Sequence, residues 1–236
     1  MKSDLPQVDV IIAVRNGRPF IKQAVSSALS QTNVSISVTV VDDSSDDGTI
    51  DEILSMGSKS VQIISGHAKE SAAAGRNRGV LHSNSEWISF LDADDLWPPS
   101  RTEDLIRAIQ TEIFAISYGK SVEFSGDNFF LEIDDSSQGN SMRAVCIGGT
   151  VFSRRTFEKV GPLNTELQVG EFVEWFARAR DLGIVEVEVP SISLFRRNHL
   201  SNTSRERRDS YREDMFSIIR SHRERLSADE KREGLL

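Results

Sequence analysis

The chain has 236 residues, 38% of them hydrophobic and 27% charged, with a formal net charge of −8. This composition supplies a full core and rules out a disordered polymer, a disulfide-stapled miniprotein and a collagen-like rod. The acidic balance lacks the basic field that holds a phosphate backbone, which argues against nucleic acid as a partner. Cys146 stands alone, so no intrachain disulfide forms. The longest apolar runs reach about half of the ~20 residues that a membrane-spanning helix needs, so no transmembrane segment is expected. Asp4 and Pro6 stand where the apolar region of a secretory signal would begin. A cytoplasmic chain is therefore expected.

Residues 8 to 14 form a β-branched apolar run, the pattern of a buried strand. Pro19 suits the first position of a helix, and Phe20, Ile21, Ala24, Val25, Ala28 and Leu29 make one apolar stripe after it. Residues 36 to 41 read as a second strand ending at Asp42-Asp43, and a polar loop then leads to a helix that Thr49 can cap. Val61 to Ile64 is a third strand, Ala72 to Leu81 a helix, and Trp87 to Leu91 a fourth strand ending at Asp92. This β-α-β-α-β-α-β order predicts an α/β fold, a mostly parallel sheet flanked by helices. Ligands of such sheets bind past the carboxyl ends of the strands, where Asn16, Asp42, Asp43, Asp92 and Asp94 converge.

The second half is less regular. A helix is expected over 100 to 110, a strand over 113 to 118, and a hairpin over 123 to 133 turning at Gly126-Asp127-Asn128. Residues 134 to 141 read as a polar loop, Val145 to Phe152 as a strand and Phe172 to Leu182 as a helix. Val185 to Val189 and Ile192 to Phe195 read as two strands. Tyr211, Met215, Ile218, Ile219, His222 and Leu226 fall on one face of a terminal helix, available for packing or for homodimerisation. One domain is expected over 1–204, with a nucleotide-binding half at 1–98 and an acceptor half at 99–204, and then a helical extension over 205–236.

Asp92-Ala93-Asp94-Asp95 places three carboxylates in four positions at the end of an apolar strand. A hard divalent cation, Mg²⁺ or Mn²⁺, would relieve their repulsion, often sharing substrate phosphates as ligands. The alternative is a solvated acidic loop ahead of the next helix. Asp42-Asp43 is either a contact for a base or ribose or a turn-forming cluster closed by Gly48. Arg76 and Arg78 open a helix of small residues and suit phosphate oxygens, or else balance surface charge. Glu171, Glu174 and Arg178 share a helix face opposite Phe172, Trp175 and Phe176. That face is either an ordinary solvated ion pair or the source of a general base. His199 follows Arg196-Arg197-Asn198 after a strand and is a candidate third ligand or phosphate contact. Cys146 reads as a small core residue.

Together these segments resemble the family 2 glycosyltransferases, which have the GT-A fold. The resemblance runs through residues 10–16, 40–49, 74–79 and 87–95, correctly ordered over the first ~100 residues, and continues more loosely through 149–152, 160–164 and Arg197-x-His199 with Asn202 and Ser204. It implies that Ala13, Arg15 and Asp43 line the nucleotide pocket, with Asp43 reaching the base. It also implies that Asp92 and Asp94 form the D-x-D pair, Asp94 ligating the metal directly. Arg76 and Asn77 would flank the donor, and His199 would complete the metal or diphosphate site. The implied activity is metal-dependent transfer, with inversion, of a sugar from a nucleotide diphosphate sugar, a UDP-sugar in kind, to an acceptor hydroxyl on a glycan, lipid, peptide or small molecule. Two departures stand out: Phe172 occupies the position where many members carry the Asp base, so Glu171 is favoured over Glu174 as its substitute, and Arg15 replaces a frequent aromatic or small residue. The alternatives are a nucleotide-sugar-binding relic without its base, and a phosphatase of the haloacid dehalogenase type with Asp92 as nucleophile and Asp94 as acid.

Overall fold

The structure, a computed structural model, describes residues 5–67, 70–126, 141–199 and 214–225. Strands β1 (Gln7–Val14), β2 (Ser35–Asp42), β3 (Val61–Ser65) and β4 (Trp87–Phe90) alternate with helices α1 (Ile21–Leu29), α2 (Thr49–Ser55) and α3 (Ala72–Leu81). Then come α4 (Arg101–Ile109), β5 (Ala115–Phe124), β6 (Met142–Arg143), β7 (Thr150–Ser153), α5 (Arg154–Val160), α6 (Glu171–Asp181) and β8 (Val185–Arg197). The described residues form one eight-stranded sheet in the order β3-β2-β1-β4-β7-β5-β6, with β8 also paired to β5. β3, β2, β1 and β4 are parallel; β7 is antiparallel to both β4 and β5. β1 therefore has β2 on one side and β4 on the other, the switch point at which such sheets open a crevice beyond their strand ends.

The period-2 alternation of β1 divides the core into two layers. Val8, Val10 and Ile12 face a layer built with Ile21, Ala24 and Val25 of α1 and with Leu105, Ile106 and Ile109 of α4. Ile11 faces the other, whose centre is aromatic: Phe90, Phe152, Phe157, Phe172, Trp175 and Phe176. α3 lies directly on β1 because two glycines permit it. A Cβ at Gly79 would come 2.3 Å from Ile11 Cγ2, and one at Gly75 would come 3.1 Å from the Cβ of Ala13. This close approach brings Arg76 to the crevice.

Several sequence expectations are corrected. α1 begins at Ile21, not Pro19, because the Gly17 carbonyl accepts from the amides of both Phe20 and Ile21 and closes a tight turn first. Thr49 does not cap its helix: Gly48 (φ +91°) takes that place, and the Thr49 hydroxyl donates to Asp47 and accepts from the Gly17 amide. The apolar run over 145 to 152 predicts one strand, yet residues 147–149 turn as a short 3-10 helix. Gly149 there lies so close to Ala144 that a Cβ would sit 2.4 Å from its carbonyl oxygen. β5 runs unbroken through residues expected in a strand and in a hairpin arm; the rest of that hairpin, from Asp127, lies outside the described residues. The two expected late strands are one, β8, whose register slips where Pro190 lacks an amide to donate.

Residues 214–225 are helical and pack on α6. Ile218 is buried, whereas Ile219, expected on the same face, is 50% exposed, and Phe216 is 68% exposed. Tyr211 and Leu226 lie outside the described residues. Among the described residues, no helix is long and apolar enough to cross a membrane.

Candidate active site

The ends of β1 and β2 are locked to each other. Asn16 and Ser44 both adopt left-handed backbone (φ +56° each), which an Asn tolerates better than most residues. The Asn16 amide donates to Ser45 Oγ at 2.9 Å, and the Asp46 amide donates to Asn16 Oδ1 at 3.0 Å. Arg15 is exposed beside this clasp and Ala13 is half-buried. Asp43 Oδ1 accepts from the Glu70 amide at 3.4 Å. Asp42 Oδ2 accepts from the Ser45 amide at 3.1 Å, while its buried Oδ1 has no hydrogen-bond partner among the described residues.

Beyond β4 the three carboxylates divide their tasks. Asp92 Oδ1 accepts from Arg76 Nη2 at 2.6 Å. Asp94 Oδ2 lies 2.8 Å from Nε2 of His199. Asp95 is buried and accepts the Arg197 amide at 2.8 Å. Burial, then the charge of Asp92, raises the pKa of Asp94 against the pull of His199. Burial and the charges of Asp92 and Asp94 push Asp95 well above the usual carboxylate range. A cluster so frustrated gains most from a nearby cation.

Arg197 builds the wall behind this cluster. Its Nε donates to the Asp94 carbonyl at 2.9 Å, Nη1 to the Gly126 carbonyl at 2.5 Å and Nη2 to Gln23 Oε1 at 2.5 Å. The guanidinium stands 4.6 Å from the ring centroids of both Phe20 and Phe124. Phe20 in turn packs on the His199 ring at 4.9 Å. Sequence reasoning assigned none of this to Arg197, Gln23 or Phe20; the one signal was the adjacency of Arg197 to His199.

Arg76 is buried and joins the segment after β4 to the start of α6. Besides Asp92, it donates through Nη1 to Glu171 Oε1 at 2.5 Å. Burial alone would lower its pKa, but the two carboxylates raise it above its ordinary value. The neighbouring Asn77 side-chain amide bonds the Leu163 backbone, donating to the carbonyl at 2.8 Å and accepting from the amide at 2.9 Å. Glu174 is also separate. It is buried, receives Nε of Arg178 at 2.9 Å and faces Arg225 at 3.6 Å, on the side of α6 covered by residues 214–225. Arg78 pairs with Glu70 at 2.6 Å.

The sequence model described as Glycosyl transferase family 2 matches residues 9–203. The chain belongs to glycosyl transferase family 2. Its relatives include two Escherichia coli proteins named UDP-Glc:alpha-D-GlcNAc-diphosphoundecaprenol beta-1,3-glucosyltransferase. WfaP is 34% identical over 127 residues, covering 54% of this chain and 47% of WfaP. WfgD is 28% identical over 112 residues, covering 48% and 44%. The chain thus spans about half the length of the curated relatives it matches.

Two solved structures share the fold. S. aureus TarS matches with a TM-score of 0.71 at 15% identity, over 93% of this chain and 65% of that one. The mannosyltransferase PcManGT from Pyrobaculum calidifontis, in complex with GDP-Man and Mn²⁺, matches with a TM-score of 0.70 at 17% identity, over 92% and 64%. The family 2 chain therefore has the mixed α/β architecture of GT-A glycosyltransferases, and the haloacid dehalogenase alternative is set aside.

Within this family 2 site, Asp94 and His199 are the two side chains that suit a divalent ion, an oxygen and an imidazole donor in contact. Asp92, expected to form the D-x-D pair with Asp94, is ion-paired with Arg76. Among the described residues no three His, Cys, Asp or Glu side chains form a metal-holding group.

Proposed function

We propose that the chain is a metal-dependent, inverting glycosyltransferase that moves a sugar from a UDP-linked donor to an acceptor hydroxyl. The observation that carries this reading is the double ion pair of Arg76, which gathers Asp92 of the D-x-D segment and Glu171 at the start of α6 onto one guanidinium. Donor motif and candidate base then border one crevice. The loops after β1 to β4 form the donor half, with Asp43 placed to accept from the base and Arg15 and Ala13 lining the nucleotide.

Asp94 and His199 would hold a Mn²⁺ or Mg²⁺ ion, which neutralises the charge developing on the departing diphosphate. Glu171, paired with Arg76, accepts the proton of the attacking hydroxyl. The new bond forms at the anomeric carbon as the bond to the diphosphate oxygen breaks on the opposite face. TarS bound to UDP-GlcNAc and PcManGT bound to GDP-Man and Mn²⁺ support the donor class and the metal. The names of WfaP and WfgD support a saccharide hydroxyl on a lipid diphosphate carrier as the first acceptor to try.

One observation favours a second reading, a donor-binding relic: Phe172, where the family's Asp base would stand, is only 5% exposed and stacks on Trp175 at 5.7 Å. Calorimetry with UDP and Mn²⁺, followed by turnover of UDP-glucose, UDP-GlcNAc and GDP-mannose, separates the two. Metal-dependent binding with sugar release supports the transferase, and binding without release supports the relic. No metal-dependent binding of UDP or GDP overturns both.

A further inference from the structure

The family match ends at residue 203, yet residues 214–225 touch the segment that leads into Glu171. Oδ2 of Asp214 accepts from the backbone amides of Gln168 and Val169, each at 2.9 Å. Those amides lie two and three residues before Glu171, in the turn that enters α6. Gly170, the residue between, has φ +76° and caps the helix. A Cβ there would stand 2.6 Å from Met215 Cε and 3.2 Å from Ile218 Cδ1, so Met215 and Ile218 close over it. At the other end, Arg225 Nε donates to Asp181 Oδ2 at 2.7 Å and His222 Nδ1 lies 3.1 Å from Asp181 Oδ1. The helical segment is thus fastened along α6 at both ends, and its first residue grips the backbone that sets where Glu171 stands.

We propose that Asp214 is a positioning residue for Glu171, holding the 168–170 turn so that the Glu171 carboxylate stays on Arg76 at the crevice. The inference rests on the reading of Glu171 as the base. A carboxylate accepting two amides fixes a turn that otherwise has a left-handed glycine as its hinge. Small displacements of a reacting group are costly: about 1 Å is enough to lose roughly a hundredfold in rate. The segment beyond the family match is on this account part of the acceptor machinery.

The test uses the full chain, with UDP affinity in Mn²⁺ by calorimetry and the release of UDP from UDP-glucose in water as the transfer readout. Asp214→Ala should lower kcat about tenfold or more while KM for UDP-glucose and the Kd for UDP stay within about twofold. Asp214→Asn, whose amide oxygen still accepts from both amides, should recover most of the loss. Hydrogen exchange supplies a readout independent of turnover: the amides of Gln168 and Val169 should be protected in the wild type and exchange faster in Asp214→Ala. Asp214→Leu, which keeps side-chain bulk but has no accepting oxygen, replaces the alanine variant if that one does not fold. Unchanged kcat and unchanged exchange in Asp214→Ala overturn the inference, as does a parallel loss of UDP affinity. Glu171→Gln is measured alongside. If it keeps full turnover, the base reading fails; if it is inactive while Asp214→Ala is normal, only the positioning role fails.

Discussion

Nε2 of His199 lies 2.8 Å from Oδ2 of Asp94, across 105 residues of sequence. Under the proposed function this pair would hold the divalent ion. Asp94→Ala should abolish the Mn²⁺ dependence of UDP binding while circular dichroism stays native. His199→Ala should weaken Mn²⁺ affinity in the presence of UDP by about tenfold or more. Wild-type affinities in both variants would remove the metal from this corner of the crevice.

Phe172 presents the opposite case, a position where the family pattern and the packing disagree. Its ring sits with Trp175 and Phe176 in the aromatic layer. Phe172→Ala should cost about 3–5 kcal/mol in urea unfolding. Phe172→Asp, which restores the family's carboxylate, should cost at least as much because it buries an unpaired charge. A Phe172→Asp chain as stable as the wild type and faster in transfer would show that the side chain can turn to the crevice after all.

Where sequence reasoning succeeded and failed has a common cause. β1 to β4 and α1 are legible because each is a local pattern, a short β-branched run or an apolar stripe, and their order fixes which ends converge. Arg76 reads locally as a phosphate contact; its partner Glu171 is 95 residues away, and only the fold shows that the guanidinium is already occupied. Glu174 reads as a solvated residue because helical periodicity places it opposite Trp175. It is buried and paired with Arg178 and Arg225, and the second of these lies 51 residues along the chain, beyond the reach of a local pattern. The run over 145 to 152 reads as a strand because hydrophobicity alone does not register that Gly148 and Gly149 let the chain turn against Ala144.

Cys146 should be unreactive in the folded chain. Burial, reinforced by the charges of Asp92 and Asp95, pushes its thiol up to about 12, whereas an unfolded thiol titrates near about 8.5. At pH 8 the native protein should therefore react slowly with a disulfide reagent, and the guanidinium-unfolded protein should react rapidly. The sign of the linkage follows. Between those two values the unfolded chain releases a proton that the folded chain keeps, so stability falls as pH rises through that window. Cys146→Ser should flatten the dependence in thermal melts from pH 8 to 10; an identical slope would assign it to other groups.

Glu171 and Glu174 are one helical turn apart on α6, and the structure gives them separate partners. Glu174 balances Arg178 and Arg225 inside the contact between α6 and residues 214–225. Glu174→Gln should therefore lower stability by about 1–3 kcal/mol, the cost of leaving buried charged donors poorly satisfied, with turnover per folded molecule unchanged. Glu171→Gln should do the reverse: UDP affinity in Mn²⁺ is kept, and transfer falls about a hundredfold or more with the loss of the group that takes the proton. The decisive measurement is the pair of variants side by side, with kcat corrected for the folded fraction. If Glu174→Gln stops transfer and Glu171→Gln does not, the base lies on the face of α6 that the C-terminal residues cover, and that cover must open for the acceptor to enter.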